Sequence, residues 1–276
     1  MSSSRVLRSD VILPEELPSN SLCGMKRKAH ETQEPRHIST QYVEGASIAQ
    51  RSDSPAQRIT QRFLKLYYIT DRRSQTVPGE TTLLRRIRKI ILRGIDFIQI
   101  REKDLSDRRL FDLTRRVVEI ARETTRASRC RVLVNGRADI AVAAGADGVH
   151  LTSSGLMVSD IRAWIPKNFI VGVSVHTMRE IRAACAGGVD YILLGHVFPT
   201  ASKEGMGTAL GVDFLRRACL GSSVPVLALG GITAERIPAV MQAGAAGVAG
   251  IGLFQNDEEF ARLLPSFCSS RSAISE

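Results

Sequence analysis

Residues 145–151, Gly-Ala-Asp-Gly-Val-His-Leu, contain a step that is repeated along the chain. A glycine able to end a helix is followed, a few residues later, by a short apolar run of strand length. The same step occurs at Gly94-Ile95-Asp96, Gly188-Val189-Asp190 and Gly244-Ala245-Ala246, each time ahead of another apolar run. Helices that end just before short apolar strands are typical of a parallel sheet covered by helices.

Eight such apolar runs predict the strands of the sheet. They cover residues 66–70, 97–101, 131–135, 148–151, 170–174, 191–195, 224–229 and 247–251. Helical periodicity is clearest over residues 83–93, 110–122, 178–186, 212–220, 234–243 and 257–264. This count predicts an α/β fold, a closed (β/α)8 TIM barrel. The alternative is an open doubly wound sheet, which the lack of a GxGxxG motif after the first strand disfavours.

The chain ahead of the first strand has a different composition. Residues 1–61 are rich in Ser, Gln, Glu, Arg and Pro and hold no lasting apolar period, so we expect a disordered polar extension. It is either a regulatory tail or the result of an upstream start, with Met25 as a later initiator. We expect the barrel to occupy residues 62–268 and a short tail to follow over residues 269–276.

Composition and charge exclude several classes of protein. Hydrophobic residues make up 43% of the 276-residue chain and charged residues 24%, which is ordinary for a globular protein with a sizeable core. We expect no membrane segment, since no apolar run reaches the roughly 18 residues that a span needs, and no secretory signal. The five cysteines lack metal-ligand spacing and suit a reducing compartment, so we expect a cytoplasmic protein.

The basic character of the chain does not favour a nucleic-acid partner. The net charge of +10 is spread over many segments, and the densest basic run, residues 83–93, has the spacing of a solvated helix face. Aromatic residues make up only 5% of the chain, which leaves few platforms on which bases could stack.

Polar residues that follow the second strand are the first candidates for a site, because barrel enzymes place their chemistry where the strands end. Alternation puts Gln99, Arg101 and Lys103 on one side of the chain. An amide and two cations that project together suit an anionic ligand, since arginine can bind phosphate in bidentate fashion. The alternative is a surface salt-bridge cluster with Glu102 and Asp104.

The other strand ends carry amide, hydroxyl, amine, imidazole and glycine groups. The side chains are Asn135, Ser174, His176, His196, Thr200, Ser202 and Lys203, and the backbone positions are Gly231, Ile251 and Gly252. Hydroxyls and a lysine in the long loop after the sixth strand can donate to phosphate oxygens. Barrels commonly hold phosphate after strands seven and eight, where glycines expose backbone amides, although a Gly-Gly pair can also be only a tight turn.

Two of the histidines are candidates for proton transfer. His176 and His196 both follow strands, at the end of the barrel where an acid or base is useful. His150 lies inside a short strand, a position more typical of a packed or hydrogen-bonded residue.

Residues from about 66 to 253 resemble the thiamine phosphate synthase / thiazole tautomerase family. Five motifs carry the resemblance in this order: Gln99-Ile100-Arg101-Glu102-Lys103, Gly145-Ala146-Asp147-Gly148-Val149-His150-Leu151, Gly172-Val173-Ser174-Val175-His176, Gly195-His196-Val197-Phe198-Pro199-Thr200 and Leu229-Gly230-Gly231-Ile232-Thr233. The resemblance implies an enzyme of thiamine biosynthesis. It also implies that Gln99, Arg101, Lys103 and Asn135 bind a pyrimidine diphosphate, and that the loops after the last three strands bind a thiazole phosphate.

The chain departs from the synthase pattern at its metal site. Synthases of the family have Asn-Asp-Arg where this chain has Asn135-Gly136-Arg137, and Gly-Gln-Glu-Asp where it has Thr152-Ser153-Ser154-Gly155. Both aspartates that hold magnesium in the synthase are therefore absent, although a metal ordinarily neutralises charge on a departing pyrophosphate. Asp71 and Asp104 are the nearest other carboxylates that could act as ligands.

The tautomerase branch of the family shifts a proton within a thiazole carboxylate phosphate, and no leaving group departs. We therefore expect a metal-independent thiazole tautomerase without a cofactor, in which His176 moves the proton and His196 orients the loop or carries a second proton. The first alternative is thiamine phosphate synthase, which would use magnesium. The second is a non-catalytic protein that binds a phosphorylated ligand. The expected partner is a small thiazole phosphate, and a homodimer is possible.

Overall fold

Eight parallel strands form a closed barrel in the computed structural model, which describes residues 65–75, 77–124, 130–153, 155–200 and 208–272. The strands are β1 Lys65–Ile69, β2 Phe97–Ile100, β3 Arg131–Asn135, β4 Gly148–Leu151, β5 Ile170–Val175, β6 Tyr191–Gly195, β7 Val226–Leu229 and β8 Gly247–Gly250. β1 pairs with β2 and also with β8, which closes the ring. The predicted (β/α)8 barrel is confirmed, and the open sheet is excluded. The predicted extension over residues 1–61 lies outside the described residues.

Helices follow the strands along the chain. They are α1 Glu80–Leu92, α2 Asp107–Thr124, α3 Ala138–Ala143, α4 Val158–Arg162, α5 Met178–Ala186, α6 Gly211–Gly221, α7 Ile237–Gln242, α8 Gly252–Gln255 and α9 Asp257–Ser272. A 3₁₀ turn over Ala234–Arg236 replaces the start of the helix predicted at residues 234–243. α3 and α4 are six and five residues long, too short to show a helical period in the sequence. α9 runs past residue 268, the expected end of the barrel.

The core has two parts, as a helix-covered barrel requires. One part lies between the strands and the helices, and leucine, isoleucine, valine and alanine dominate it. The other part fills the inside of the barrel with larger side chains: Tyr67, Ile69, Phe97, Leu133, Ile170, Tyr191, Leu193, Leu227 and Ala249. Because the strands are apolar on both faces, polar groups inside the ring need hydrogen-bond partners there.

The aspartates of the repeated Gly-x-Asp step stabilise the barrel. Asp96, Asp147 and Asp190 each accept a hydrogen bond from a backbone amide of the strand before their own, at 2.9, 2.9 and 2.7 Å. A basic side chain pairs with each carboxylate; these are Lys65, Arg131 and Arg162. The fourth step has Ala246 in place of aspartate and cannot make this contact. Among the described helices, none combines the length and the hydrophobicity that a membrane crossing requires.

Candidate active site

The end of β2 brings two cations to the carboxyl end of the barrel. Gln99 is buried inside the ring, Arg101 is half-buried and Lys103 is exposed. Glu102 turns the other way, is only 4% exposed and accepts from the Arg72 side chain at 3.0 Å. Within the described part of the chain, neither Arg101 nor Lys103 forms an ion pair. Their positive charges are therefore available to an anion.

The alternative interpretation, in which Arg101 and Lys103 form salt bridges with Glu102 and Asp104, is wrong. Glu102 and Asp104 both bind Arg72, and the two oxygens of Asp104 take the guanidinium at 2.7 and 2.8 Å. This pairing lowers the pKa of Asp104 and raises that of Arg72. A cavity of about 330 Å³ lies over the cluster and is lined by Asp71, Arg73, Ser74, Arg101, Glu102, Lys103 and Asp104.

A continuous chain of hydrogen bonds crosses the inside of the barrel below these cations. Its six members, which we call the polar chain, are Ser174, His150, Tyr191, Tyr67, Gln99 and Asn135. The successive distances are 2.9 Å from Ser174 to His150, 3.0 Å to Tyr191, 2.8 Å to Tyr67, 3.0 Å to Gln99 and 2.8 Å to Asn135. It connects the ends of β5 and β3 through the barrel interior.

The direction of every bond in the polar chain follows from the bond between Gln99 and Asn135 at one end. Gln99 donates through Nε2 to Asn135, so its Oε1 accepts from the Tyr67 hydroxyl. Tyr67 has then used its only proton, and Tyr191 must donate to it. The Tyr191 oxygen in turn accepts from Nδ1–H of His150. Both tyrosine hydroxyls stay protonated, because burial raises the pKa of each one.

His150 is the neutral Nδ1–H tautomer in this arrangement. Burial, with a smaller contribution from the charge of Arg101, lowers its pKa to about 3. A neutral imidazole that donates through Nδ1 can only accept at Nε2, so the Ser174 hydroxyl donates to it. The Ser174 oxygen is left to accept from a ligand, while Nδ2 of Asn135 is left to donate.

His176 and His196 lie at the strand ends, as the sequence predicts. The His176 imidazole is exposed and donates through Nδ1 to the backbone carbonyl of Gly195, which leaves Nε2 as a base. Its backbone amide donates to Glu180 at 2.5 Å. His196 is half-buried, and its backbone carbonyl accepts from the Leu210 amide at 3.0 Å. The proton-transfer role of either imidazole stays a prediction.

The Gly230-Gly231 pair is explained first by close packing against the loop after β6. Both residues have positive φ angles, 94° and 64°. A Cβ on Gly230 would lie 2.4 Å from Cβ of His196, and one on Gly231 would lie 2.5 Å from the Pro199 carbonyl oxygen. A tight turn therefore accounts for the two glycines, and phosphate binding by their amides stays a prediction.

The remaining predicted ligands fall into two groups. Thr200 is half-buried in the loop after β6, Ile251 is half-buried directly after β8, and Gly252 is exposed as the first residue of α8. Ser202 and Lys203 lie outside the described residues.

The carboxylates near Asn135 do not fit the magnesium site of the synthases. Gly136 is exposed with a φ of 69°, and Gly155 follows β4 with no carboxylate of its own. Asp71 accepts from two backbone amides, those of Arg73 and Ser74, and Asp104 is held by Arg72. No cluster of three or more His, Cys, Asp or Glu side chains with metal-binding geometry occurs in the described part of the chain.

Comparison with known proteins identifies the family. Residues 66–254 match the family model described as thiamine monophosphate synthase. The thiamine-phosphate synthase of Methanoculleus marisnigri is 39% identical over 67% of this chain and 84% of its own length. A relative in Geobacter sulfurreducens, provisionally given the same name, is 41% identical over 67% of this chain and 83% of its own. The structure of thiamine phosphate pyrophosphorylase from Pyrococcus furiosus superposes with a TM-score of 0.64 at 28% identity, covering 75% of this chain and 96% of that one.

The fold and these relatives define a (β/α)8 barrel enzyme of thiamine biosynthesis. More specifically, the chain belongs to the thiamine monophosphate synthase family.

Sequence reasoning missed two members of the polar chain. Tyr67 and Tyr191 were assigned only to strands, although both point into the barrel and carry a hydroxyl that must find a partner. Alternation offered a signal, since Tyr67 and Gln99 occupy inward positions of neighbouring strands. His150 is hydrogen-bonded inside the barrel, as its position within a strand predicts.

Proposed function

We propose that this chain is a thiamine phosphate synthase, which joins a hydroxymethylpyrimidine diphosphate to a thiazole phosphate and releases pyrophosphate. The observation that carries the proposal is 39% identity to a named thiamine-phosphate synthase over 84% of that protein. This reverses the order of the two activities expected from the sequence, where the missing aspartates favoured the tautomerase. Arg101 and Lys103 form no ion pair with any described residue, and two such cations at the end of β2 support a substrate that carries a diphosphate.

In this reaction the bond between the pyrimidine methylene carbon and the diphosphate oxygen breaks, and a bond from the thiazole nitrogen to that carbon forms. Negative charge grows on the departing pyrophosphate, and in this proposal Arg101 and Lys103 neutralise it. Nδ2 of Asn135 can donate to the same substrate, and the Ser174 oxygen can accept from it, because the polar chain has fixed both ends. The loops after β6, β7 and β8 would hold the thiazole phosphate.

The family resemblance implies a synthase that uses magnesium, and this proposal departs from that expectation because the residues at the family's two metal positions are the glycines Gly136 and Gly155. Two cationic side chains would neutralise the charge that magnesium neutralises in synthases with the family's aspartates. A smaller rate than that of a metal-using synthase is the expected consequence, since a divalent ion supplies several kcal/mol of charge stabilisation.

A second candidate is the thiazole tautomerase, which the geometry of His176 favours. Its exposed imidazole donates through Nδ1 to the Gly195 carbonyl, so Nε2 can take a proton from a ligand and return it. Such a proton shift has no leaving group and needs no metal. A non-catalytic binding protein would hold either phosphate ligand without turning it over.

Phosphorus NMR distinguishes the three proposals in one set of samples. The protein is incubated with the pyrimidine diphosphate and the thiazole phosphate, and separately with the unaromatised thiazole carboxylate phosphate. Pyrophosphate in the first sample supports the synthase. Conversion only in the second sample overturns the synthase in favour of the tautomerase, and ligand binding without conversion in either sample supports the non-catalytic protein.

A further inference from the structure

Arg236 connects the turn after β7 with the loop after β6. It belongs to the 3₁₀ turn Ala234–Arg236, and its Nη1 donates to the backbone carbonyl of Gly231 at 2.5 Å. The same guanidinium lies over the ring of Phe198, with its central carbon 4.7 Å from the ring centroid. One flat, charged side chain thus contacts two loops that follow neighbouring strands.

The two loops also contact each other through their backbones. The amide of Phe198 donates to the carbonyl of Gly230 at 3.1 Å, and the amide of Val197 donates to the carbonyl of Leu229 at 2.8 Å. Because a Cβ on Gly231 would lie 2.8 Å from Cβ of Phe198, the contact leaves no room for a side chain. A shift of either loop would therefore displace the other.

The hydrogen bond from Arg236 fixes the orientation of one peptide group. In a trans peptide the carbonyl and the N–H point in opposite directions, so holding the Gly231 carbonyl turns the Ile232 N–H away from Arg236. Within the described residues, the backbone amides of Gly231 and Ile232 donate no hydrogen bond. A buried or half-buried amide without a partner is rare, and an anion would supply one.

Arg236 pairs with no carboxylate among the described residues, so its charge also adds to the field at this turn. A guanidinium over an aromatic ring keeps its charge, because the ring face attracts the cation without neutralising it. Lysine cannot reproduce both contacts, since it lacks the flat fork of N–H groups.

We propose that Arg236 is a positioning residue for the thiazole phosphate, holding residues 196–199 after β6 and the Gly230-Gly231 turn in the arrangement that binds it. The inference rests on the thiazole phosphate site of the proposed function, which the synthase and the tautomerase would share. Arg236 acts through the Gly231 peptide and Phe198 and is not assigned a contact with the reacting atoms.

Calorimetric titration with the thiazole phosphate tests this role in Arg236→Lys, Arg236→Gln and Phe198→Leu. Arg217 provides a matched control, since its guanidinium lies 5.6 Å from the centroid of Phe214 on α6 and Arg217→Gln removes a similar stacked cation. We expect Kd for the thiazole phosphate to rise about tenfold in both Arg236 variants, because each loses the charge-assisted hydrogen bond that orders the Gly231 peptide. Kd of the Phe198→Leu variant should rise less, and Kd of the Arg217→Gln variant should equal that of the parent protein.

A purely structural role would lower the melting temperature and leave Kd of the folded protein unchanged. In steady-state kinetics, positioning predicts a higher KM for the thiazole phosphate and an unchanged KM for the pyrimidine diphosphate. A Kd of Arg236→Gln within twofold of the parent value would overturn the proposal.

A second measurement separates this proposal from the proposed function. Hydrogen exchange at the Val197 and Phe198 amides, which donate to the turn after β7, should be faster in the ligand-free Arg236→Gln protein than in Arg217→Gln. If the parent protein binds no thiazole phosphate, the proposed function fails, and unchanged exchange at these amides overturns the role of Arg236 as well. Faster exchange in that case supports the role of Arg236 in holding the two loops together and overturns its assignment to the thiazole phosphate.

Discussion

The ring of Tyr191 occupies the space that a side chain at Gly172 would need. A Cβ built on Gly172 would lie 1.9 Å from Cζ of Tyr191 and 2.2 Å from its Cε1. Gly172 is in the middle of β5, where glycine has no turn to make, and its partner in β6 is Tyr191 itself. The glycine therefore makes room for the ring whose hydroxyl lies at the centre of the polar chain.

The first prediction concerns this contact. Gly172→Ala should lower the free energy of unfolding by about 1–3 kcal/mol, because an extra methyl in a packed core forces its neighbours aside. Gly252→Ala is the control for stability, since nothing lies within 4 Å of a Cβ at that position. Urea unfolding of the two variants checks the prediction, and equal midpoints would contradict it.

The second prediction concerns the exposed end of the polar chain. Ser174→Ala removes the group that donates to Nε2 of His150 and that can accept from a ligand. We expect kcat/KM to fall roughly 10- to 100-fold, which is the cost of about one or two hydrogen bonds in a partly buried site. Ser159→Ala, which deletes an exposed hydroxyl on α4, should leave it unchanged. A Ser174→Ala enzyme with the parent kcat/KM would show that the polar chain has no part in the reaction.

The third prediction is a pH dependence of stability. His150 has a pKa of about 3 in the folded protein, against about 6.5 when unfolded. Between pH 3 and pH 6.5 the unfolded chain binds a proton at His150 that the folded protein does not bind. The contribution of His150 to stability is therefore fully present above about pH 6.5 and declines as the pH falls. This group alone gives a slope of about 1.4 kcal/mol per pH unit.

His150→Gln should remove that slope while keeping a polar side chain in the barrel. Unfolding free energies of the parent and the variant, measured from pH 7 to pH 4, should therefore converge as the pH decreases. Two parallel curves would contradict a neutral, buried His150.

The fourth prediction tests the Gly-x-Asp step. Asp190 is 6% exposed, accepts from the Val171 amide at 2.7 Å and binds Arg162. Asp190→Ala leaves that amide buried without a partner, so we expect a loss of about 2–3 kcal/mol in the free energy of unfolding. Asp213→Ala removes an exposed carboxylate whose one ion pair among the described residues is with nearby Arg216, and it should cost much less. Similar losses in both variants would exclude a special role for Asp190.

The sequence predicted the barrel because its signals are local. Each Gly-x-Asp step marks a helix end and a strand start, and all eight predicted strands overlap the observed ones within two residues at either end. α3 and α4 were missed because helices of six and five residues leave no period to detect. The partners of Glu102 and Asp104 were missed because Arg72 is about 30 positions away and approaches them only through the pairing of β1 with β2.

The sequence predicted which residues at the strand ends belong to the site, but not the hydrogen bonds of the polar chain that connect them. Gln99, Asn135 and Ser174 follow from the rule that chemistry lies where barrel strands end. The links between them, Tyr67, Tyr191 and His150, are inward positions of β1, β6 and β4, and their distances depend on how the ring closes. Closure is a property of all eight strands together, so no local pattern contains it.

Pyrophosphate release in the presence of EDTA tests whether side-chain cations replace the missing metal ligands. With both precursors present, we expect the parent protein to release pyrophosphate at the same rate with magnesium or with EDTA. Arg101→Gln should lower that rate by roughly 100-fold, in keeping with the loss of a charge that stabilises a departing anion. Release that occurs only with magnesium, or no release under either condition, would contradict this account.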